Sequence, residues 1–383
     1  MKREELCSRL YRGFKRVASF ALAACMTVTL CACGSTFEGY VDEDVDYQDA
    51  DASGKNGESK RIGVSLPTKD LQRWVQDGQN IETSLRDSGY MVDLQYAENK
   101  ADLQNEQVSG MIEEGCDVLL ISAVDGYGLA DTLAAAKEKG IIVIAYDRLI
   151  MNTDAVSYYA SFDNAKVGQL QGQYIVDALD LEHTQGPYNL EIFTGSPDDN
   201  NCKFYFGEAM KVLKPYVDAG KLVIPSGQAT QEACSIKSWS TDVAKERMDS
   251  ILSKYYGGGK KIDAVLSSND SVAMGIIQSL SDHYKGDFPV LTGQDCDINA
   301  MKQILNGRQS MSIYKDTREL AKKVVEMINA VLEGKEVPVN DTTSYDNGKG
   351  AVPSYLCEPV FADKSNYKEI LIDSGYYTAD QLK

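Results

Sequence analysis

The sequence predicts an α/β fold of two lobes, each a doubly wound parallel sheet with helices on both faces. Short apolar runs alternate with amphipathic segments from residue 61 onward, which is typical of parallel strands joined by helices. This alternation occurs twice in succession, with about five strands in each set. A chain of 383 residues is also too long for one ordinary core. We therefore assign each set of strands to a lobe of its own.

The first set of strands predicts the N-terminal lobe. The run at 141–145 consists almost entirely of β-branched residues, which indicates a strand buried on both faces. Trp74, Ile81 and Leu85 are spaced to share one face of the first helix. The predicted strands are 62–66, 91–95, 118–121, 141–145 and 156–160, and the predicted helices between them are 71–88, 104–114 and 129–139.

The second set of strands predicts the C-terminal lobe. No short fixed period repeats along the chain, which excludes a solenoid. The predicted strands, with helices between them, lie near 189–193, 222–224, 264–266, 290–291 and 311–314.

Residues 1–32 are predicted to be a lipoprotein signal peptide. Six basic residues precede an apolar stretch at 17–30, which is too short to span a membrane comfortably. The sequence Leu30-Cys31-Ala32-Cys33 then resembles the bacterial lipobox, whose final cysteine is acylated. Cys33 is thus predicted to anchor the protein to the outer face of the bacterial cytoplasmic membrane. A plain secretory signal that is cut after Ala32 is the alternative.

The acidity of the mature chain limits its partners. Residues 33–60 are rich in Asp, Glu, Gly and Ser, which predicts a flexible acidic tether. Without residues 1–32 the chain has 33 basic and 55 acidic residues, a net charge of −22. Such a surface disfavours nucleic acid and anionic lipid as partners.

The cysteine and histidine content disfavours metal and nucleophile chemistry. His183 and His283 are the histidines of the sequence, so a zinc site or a histidine-based triad has almost no residues to draw on. An odd number of cysteines follows Cys33, and none forms a C-x-x-C pair. We expect no cofactor and mostly buried free thiols at Cys116, Cys202, Cys234, Cys296 and Cys357.

An acid and a base end the most informative stretch of the chain, residues 140–148. Asp147 and Arg148 follow the buried strand at 141–145 almost at once, and ligands sit outside the carboxyl ends of parallel strands. A carboxylate accepts hydroxyl protons and a guanidinium donates in a fixed fork, which suits a neutral polyol such as a sugar. A salt bridge that closes the strand end is the alternative.

Polar and aromatic residues recur at the other strand ends. Aromatic rings cover the apolar faces of a pyranose, while mixed acids, amides and bases satisfy its hydroxyls. Taken alone, each residue has an ordinary structural explanation that is equally good: Trp74 as a core anchor, Asn269 as a helix cap and Lys315 as a solvated side chain. Their recurrence favours one shared site built from Arg73, Trp74, Asp199, Asn201, Trp239, Asn269, Asp295 and Lys315 together with Asp147 and Arg148.

These motifs resemble the periplasmic binding proteins for monosaccharides, most closely the xylose and multiple-sugar branch. The similarity runs from residue 61 to residue 382 and is carried by IAYDRLI at 144–150, SYYASFDN at 157–164, GSPDDNN at 195–201, VLKPYV at 212–217, GQD at 293–295 and KDTRELA at 315–321. The resemblance implies that the ten residues named above contact the sugar. Asn269 is asparagine, as in the xylose type, whereas the multiple-sugar type has an acid there.

The resemblance also implies a type I periplasmic-binding-protein fold. Three hinge crossings are expected near 162–163, 314–315 and 350–353. The N-terminal lobe would then comprise 61–162 and 315–350, and the C-terminal lobe 163–314 and 351–383. The calcium loop of the galactose type has no counterpart around 180–187, so no metal is expected.

By the same resemblance, the protein is expected to be a monomeric solute-binding lipoprotein. It would close on a monosaccharide of the xylose, glucose, galactose or arabinose class and deliver it to an ABC permease with its ATPase. The main alternative is a sensor accessory that presents the closed form to a chemoreceptor or sensor kinase.

Two other classes are disfavoured. A glycoside hydrolase would use paired carboxylates, which Asp147, Asp199 and Asp295 could supply, but the surrounding motifs match a binder. A sugar-responsive repressor needs an amino-terminal helix-turn-helix, and the lipobox occupies that place.

Replacing Cys33 with serine tests the predicted anchor. Cys33→Ser removes the thiol that would be acylated, so the variant should be released as soluble protein or stall during processing. Membrane fractionation and immunoblotting beside the wild type measure this. A variant that stays membrane-bound at the wild-type mature size would contradict the lipoprotein prediction.

Overall fold

Two sheets organise the part of the chain that the computed structural model describes, residues 59–383. The signal peptide, Cys33 and nearly all of the predicted tether lie outside the described residues. Within the described range, the first sheet contains six parallel strands, in the order 354–357, 156–162, 142–146, 118–121, 61–66 and 91–96. The second contains four parallel strands, in the order 222–223, 188–193, 264–267 and 290–291. The predicted α/β fold with two doubly wound parallel-sheet lobes is confirmed.

The N-terminal lobe alternates strands and helices as the apolar pattern predicts. Its elements are β1 (Arg61–Leu66), α1 (Gln72–Asp87), β2 (Met91–Tyr96), α2 (Ala101–Glu113), β3 (Val118–Ile121), α3 (Ala130–Glu138), β4 (Ile142–Tyr146) and β5 (Val156–Phe162), with α10 (Thr317–Leu332) and β11 (Ser354–Cys357) added from later in the chain.

The C-terminal lobe holds the remaining elements. They are α4 (Asn164–Ala178), β6 (Tyr188–Phe193), α5 (Cys202–Asp218), β7 (Leu222–Val223), α6 (Gln231–Cys234), α7 (Thr241–Tyr255), β8 (Ala264–Ser267), α8 (Asp270–His283), β9 (Val290–Leu291), α9 (Ile298–Leu305), β10 (Met311–Tyr314) and β12 (Val360–Asp363), with 3-10 turns at Lys237–Trp239 and Gly257–Gly259 and a π-helical turn at Lys368–Asp373. Strands β10 and β12 pair antiparallel, and a bridge between Gln294 and Ile313 links them to the end of β9.

Alternate residues of each central strand enter different cores. Leu119 and Ile121 of β3 pack in one cluster with residues of α2 and α3. Val118 and Leu120 pack in the other cluster with residues of α1 and α10. Successive side chains of a strand point to opposite faces, so a strand covered by helices on both sides needs an unbroken apolar run.

The chain passes from one lobe to the other at three places. It leaves the first sheet after Phe162 and enters α4, whose first turn is capped by the Asp163 carboxylate. It returns between β10 and α10, which packs against α1. We predicted the third crossing at 350–353, but it lies between Cys357 and Val360.

The assignment of residues 351–357 to the C-terminal lobe is therefore wrong. Strand β11 pairs with β5 in the first sheet, where Ser354 lies opposite Tyr159 and Cys357 opposite Phe162. An exposed edge of β5 would leave backbone N–H and C=O groups unpaired. Strand β11 covers that edge before the chain crosses to β12.

The cysteines of the described range behave as small buried side chains. All five in residues 59–383 are free, four of them buried and Cys357 partly so, as predicted. Within the same range no helix is long and apolar enough to cross a membrane.

Helices α4 and α5 approach closely because glycines line their contact. A Cβ atom at Gly168 would lie 2.3 Å from the carbonyl oxygen of Tyr205, and one at Gly172 would lie 2.9 Å from that of Ala209. Gly207 lies on α5 as well, but a Cβ atom there would meet nothing within 4 Å. The glycines at 168 and 172 therefore allow the first turns of α5 to pack directly against α4.

Two alanine substitutions test this packing. Gly168→Ala should lower the free energy of unfolding by about 1–3 kcal/mol because its methyl group meets fixed backbone. Gly207→Ala is the matched control, and it should raise the free energy of unfolding by roughly 0.5–1 kcal/mol through helix propensity. Urea denaturation followed by circular dichroism measures both. Equal effects of the two substitutions would contradict close helix packing at Gly168.

Candidate ligand-binding site

A narrow cavity lies between the lobes, at the carboxyl ends of strands from both sheets. This position is the one expected for a ligand site in parallel α/β sheets. The charged residues of its lining are each at most 8% exposed. The lining consists of Leu71, Arg73, Trp74, Asp147, Arg148, Asp199, Tyr205, Trp239, Asn269, Gln294, Asp295 and Lys315.

A chain of ion pairs centred on Arg73 crosses the cavity. The Nη1 atom of Arg73 lies 3.0 Å from Asp147 Oδ2 and 3.6 Å from Asp295 Oδ1. The Lys315 ammonium lies 2.9 Å from the same Asp295 oxygen. Asp77, one helical turn beyond Arg73, accepts from its Nε atom at 3.0 Å. Because Asp295 belongs to the C-terminal lobe, Arg73 links the two lobes.

A second ion pair also spans the lobes. The Nε atom of Arg148 lies 3.0 Å from Asp199 Oδ2, and its Nη1 atom donates to the Ala123 carbonyl at 3.0 Å. The guanidinium carbons of Arg73 and Arg148 lie 4.5 Å and 5.2 Å from the Trp74 ring centroid. Cation–π attraction and hydrogen bonding together fix both planar groups.

The backbone of Asp147 adopts a left-handed conformation, with a φ of 57°. Such a conformation costs on the order of 1–3 kcal/mol in a residue other than glycine. Three donors hold the carbonyl oxygen of Asp147: Tyr159 Oη at 2.6 Å, Asn201 Nδ2 at 2.8 Å and Ser161 Oγ at 3.0 Å. The peptide is thereby fixed in the orientation that directs Asp147 toward Arg73.

Asn201 is thus placed differently from the prediction. We expected it to contact the ligand, but it does not line the cavity. Its amide nitrogen donates to the Asp147 carbonyl, and its oxygen lies 3.2 Å from the Tyr159 hydroxyl. Both polar atoms are therefore occupied by the protein, so Asn201 positions Asp147 from the opposite lobe. The other nine predicted residues all line the cavity.

The two tryptophans form apolar walls. Trp74 is 2% and Trp239 is 5% exposed, so both are buried although neither lies in an apolar run. Trp239 has a φ of 56°, and its ring lies so close to Gly195 that a Cβ atom there would be 2.1 Å from it. Tyr205 packs edge-on against Trp239, with ring centroids 6.4 Å apart. Glycine at 195 is therefore required for the Trp239 wall.

Asn269 serves both roles considered for it. Its side-chain oxygen accepts from Val272 N at 2.9 Å and caps α8. Its Nδ2 group has no hydrogen-bond partner within residues 59–383, and Asn269 lines the cavity. The cap thus orients the residue, while the amide hydrogens remain available to a ligand.

Sequence reasoning missed three lining residues. Leu71 lies two residues before Arg73, and Tyr205 follows Asn201 by one helical turn. Gln294 lies within the GQD motif, donates to the Ser268 carbonyl at 3.3 Å and has a buried Oε1 atom without a partner in the described chain. No sequence signal identified Tyr205, because Asn201 one turn before it does not line the cavity, and nothing in the sequence separated Gln294 from its neighbour Asp295.

The ion pairs set the charge states of the cavity carboxylates. Burial opposes the ionised form of Asp147, but Arg73, Lys315 and Arg148 outweigh it and hold the pKa of Asp147 below its usual value. Burial raises the pKa of Asp199, against the opposing effect of Arg148. Burial lowers the pKa of Arg73, but its acidic neighbours prevail and raise it well above the usual value. Arg73 is therefore a permanent cation.

Two buried carboxyl groups near Asp295, those of Asp270 and Asp297, have raised pKa values. Burial and the neighbouring charges of Asp297 and Asp295 raise the pKa of Asp270 well above its usual value. Gln309 and Ser312 each donate to Asp270 Oδ1 at 2.8 Å. Burial and Asp295 also raise the pKa of Asp297 to about 7, and its buried Oδ1 atom has no partner in the described residues.

Metal binding finds no support in this part of the molecule. Within residues 59–383 there is no group of three or more His, Cys, Asp or Glu side chains that could hold a metal ion. The carboxylates of the cavity contact Arg and Lys instead.

Two lobes with a buried, charge-paired cavity between them define a ligand-binding protein of the two-lobed class. The chain belongs to the family described as periplasmic binding protein domain, which matches residues 62–336. This confirms the predicted family and its type I fold.

Named relatives agree with this assignment. The chain is 49% identical over 326 residues to the multiple sugar-binding periplasmic receptor ChvE of Rhizobium radiobacter, covering 84% of this chain and 92% of that protein. It is 37% identical over 322 residues to the D-xylose-binding periplasmic protein of Escherichia coli strain K12, with coverage of 84% and 92%. Both relatives are binding proteins by name.

Two solved structures are also similar. An ABC transporter solute binding protein from Clostridium phytofermentans with bound β-D-glucose is 60% identical, with a TM-score of 0.84 over 85% of this chain and 100% of that one. A carbohydrate transporter solute binding protein from Chloroflexus aurantiacus in complex with D-glucose is 32% identical, with a TM-score of 0.75 over 84% of this chain and 98% of that one.

The raised pKa of Asp297 makes a prediction about stability and pH. The folded protein holds a proton on Asp297 up to about pH 7, whereas the unfolded chain releases it near pH 4. Asp297 should therefore lower the free energy of unfolding progressively as pH rises from about 4 to about 7. Asp297→Asn should remove this loss, so the variant gains on the wild type across that range.

Asp316→Asn is the control, because the pKa of Asp316 is lowered. Burial alone would raise this pKa, but the hydrogen bonds from Arg318 and Tyr314 and the charge of Arg318 outweigh burial. The difference between Asp316→Asn and the wild type should stay nearly flat from pH 5 to pH 7. Urea denaturation at a series of pH values measures both. Parallel curves for Asp297→Asn and the wild type would contradict a raised pKa at Asp297.

Proposed function

We propose that the protein binds a monosaccharide between its lobes and delivers it to an ABC permease and its ATPase. The observation that carries this proposal is the charge balance of the cavity. Within the described residues its lining has three acidic and three basic side chains, and each is ion-paired with another. A charged ligand would bring one more charge into this balanced set, and a charge without a counter-charge is costly in a buried site. A neutral ligand disturbs none of the pairs.

The remaining lining groups favour a sugar among neutral ligands. Each sugar hydroxyl both donates and accepts a hydrogen bond, so it needs donors and acceptors together. The cavity offers ionised acids, guanidinium groups and the free Nδ2 group of Asn269. Trp74 and Trp239 supply apolar surface for the C–H faces of a pyranose ring.

Glucose is the first candidate ligand. The similar structures from Clostridium phytofermentans and Chloroflexus aurantiacus both contain glucose, and the relative from Rhizobium radiobacter is named for multiple sugars. Xylose, galactose and arabinose are the other candidates. The protein is proposed to release the sugar unchanged, since each carboxylate that could act in hydrolysis contacts a cation.

The cellular setting belongs to the same proposal. Acylation at Cys33 would hold a monomer at the outer face of the cytoplasmic membrane, with the acidic tether between anchor and lobes. A sugar-sensing accessory is the second candidate, because the 49% identical relative from Rhizobium radiobacter is named a receptor. Deletion of the gene for the partner permease would separate transport, which stops, from sensing, which continues.

Calorimetric titration with the four aldoses tests ligand binding. We expect saturable binding of D-glucose and recovery of unchanged sugar by mass spectrometry after prolonged incubation. No heat with any of the four sugars would contradict the proposal. A new product in the mass spectrum would instead indicate an enzyme.

Two substitutions test the site. Asp147→Ala should weaken sugar binding at least about tenfold, because it removes charge-assisted hydrogen bonds worth about 1.5–3 kcal/mol. Asn269→Ser keeps a helix-capping side chain but removes the free amide, so it should weaken binding about tenfold with a nearly unchanged melting temperature. Asp154→Ala, on the exposed ion pair with Lys137, is the control and should change neither property.

The sugar-contact and salt-bridge interpretations of Asp147 predict different results. If Asp147 only closes a strand end through a salt bridge, its replacement lowers the melting temperature while the dissociation constant stays the same. Unchanged dissociation constants in both Asp147→Ala and Asn269→Ser would contradict the site assignment.

A further inference from the structure

Helix α1 carries a second functional face beside the one that lines the cavity. Arg73 and Trp74 face the ligand, whereas Gln72, Gln76 and Asn80 are spaced four residues apart and share a neighbouring face. The Tyr376 hydroxyl lies 3.3 Å from Gln76 Oε1, and Asn80 Nδ2 donates to Thr317 Oγ1 at 3.0 Å. The strongest contacts on this face are made by Gln72.

Both polar atoms of the Gln72 side chain are used by the opposite lobe. Its Nε2 atom donates to the Tyr377 hydroxyl at 2.6 Å, and its Oε1 atom accepts from the Ile298 backbone at 3.1 Å. The Tyr377 hydroxyl in turn donates to the Cys296 carbonyl at 3.0 Å. Three hydrogen bonds thus join Gln72 to two points of the loop that leads into α9.

Tyr377 is a fixed part of the C-terminal lobe. It is 3% exposed and packs in one core cluster with Cys296, Met301, Leu371 and Leu382. Gln72 belongs to the N-terminal lobe through α1. The contact between Gln72 and Tyr377 therefore exists only while the lobes are together.

The contact also adjoins the ligand cavity on both of its sides. Gln72 directly precedes Arg73, and Cys296 directly follows Asp295, and these two cavity residues are themselves 3.6 Å apart. Asp295 and Cys296 have φ values of 98° and 53°, so their loop has a constrained left-handed shape. The hydrogen bonds of Gln72 and Tyr377 therefore hold the backbone from which Arg73 and Asp295 reach the ligand.

We propose that Gln72 and Tyr377 form a latch whose making and breaking sets how long the closed form retains its ligand. The proposal rests on the proposed function and names two positioning residues for it. In an open form, water satisfies the Gln72 amide and takes its place beside the Tyr377 hydroxyl, which keeps its bond to the Cys296 carbonyl. In the closed form both groups are removed from water and satisfy each other. Loss of the Gln72 side chain therefore destabilises the closed form alone, whereas loss of the Tyr377 hydroxyl also removes its bond to the Cys296 carbonyl from both forms.

The latch makes a kinetic prediction that differs from that of a direct ligand contact. Sugar enters the open form, so the association rate constant should stay within about twofold of the wild type. Release requires opening, so Tyr377→Phe should raise the dissociation rate constant about fivefold or more. The phenylalanine ring keeps the core packing, but the variant also loses the bond to the Cys296 carbonyl, so its melting temperature should fall modestly. Gln72→Ala loses only contacts with the opposite lobe and should raise the dissociation rate constant with a nearly unchanged melting temperature of the ligand-free protein.

Stopped-flow tryptophan fluorescence with D-glucose measures both rate constants. The variants are Tyr377→Phe, Gln72→Ala and the double variant, which should dissociate no faster than the faster single variant because both remove the same contact. Tyr367→Phe is the matched control in the same C-terminal segment, since the Tyr367 hydroxyl has no hydrogen-bond partner within residues 59–383. It should leave both rate constants unchanged.

Two outcomes would overturn the latch while the proposed function stands. One is an unchanged dissociation rate constant in Tyr377→Phe, and the other is an effect that Tyr367→Phe reproduces. If the wild type binds none of the four aldoses, the proposed function fails separately. Small-angle X-ray scattering of the ligand-free proteins then decides on the latch, because identical profiles for the wild type and Tyr377→Phe would overturn it and a more open variant would support it.

Discussion

Arg73 holds a permanent positive charge at a place where the residue is only 5% exposed. Removing such a charge from water costs several kcal/mol unless it is paired and hydrogen-bonded. Its partners come from three parts of the chain: Asp77 from its own helix, Asp147 from the end of β4, and Asp295 from the other lobe. The arrangement of the cleft depends on bringing these three carboxylates together around one guanidinium.

The pairing of Arg73 with Asp147 also depends on the backbone conformation of Asp147. Asp147 reaches Arg73 from a left-handed residue, which persists because its carbonyl oxygen accepts three hydrogen bonds. Two of the donors, Tyr159 and Ser161, lie on the neighbouring strand β5, and the third, Asn201, lies in the C-terminal lobe. The position of one cavity carboxylate is therefore controlled partly by the opposite lobe.

The two lobes thus meet through polar contacts that are complete only when they are together. Arg148 with Asp199, Arg73 with Asp295, and Gln72 with Tyr377 each join one lobe to the other. Water can satisfy the same groups when the lobes part, so the balance between open and closed forms is not fixed by any one contact. In the proposed function, a ligand that fills the cavity shifts this balance by binding the closed form better.

Local pattern in the sequence determined the strands, the helices and the polar residues at the strand ends, because these depend on neighbours a few positions apart. Asp147, Asn269 and Lys315 were therefore assigned to the cavity without a structure. The tertiary structure decided what depends on distant segments. Strand β11 pairs with the edge of β5 because the backbone N–H and C=O groups there need hydrogen-bond partners. The Asn201 amide donates to the Asp147 carbonyl, and this bond helps to stabilise the left-handed backbone of Asp147. Gln294 and Tyr377 carry no local signal, since their roles arise only where two lobes meet.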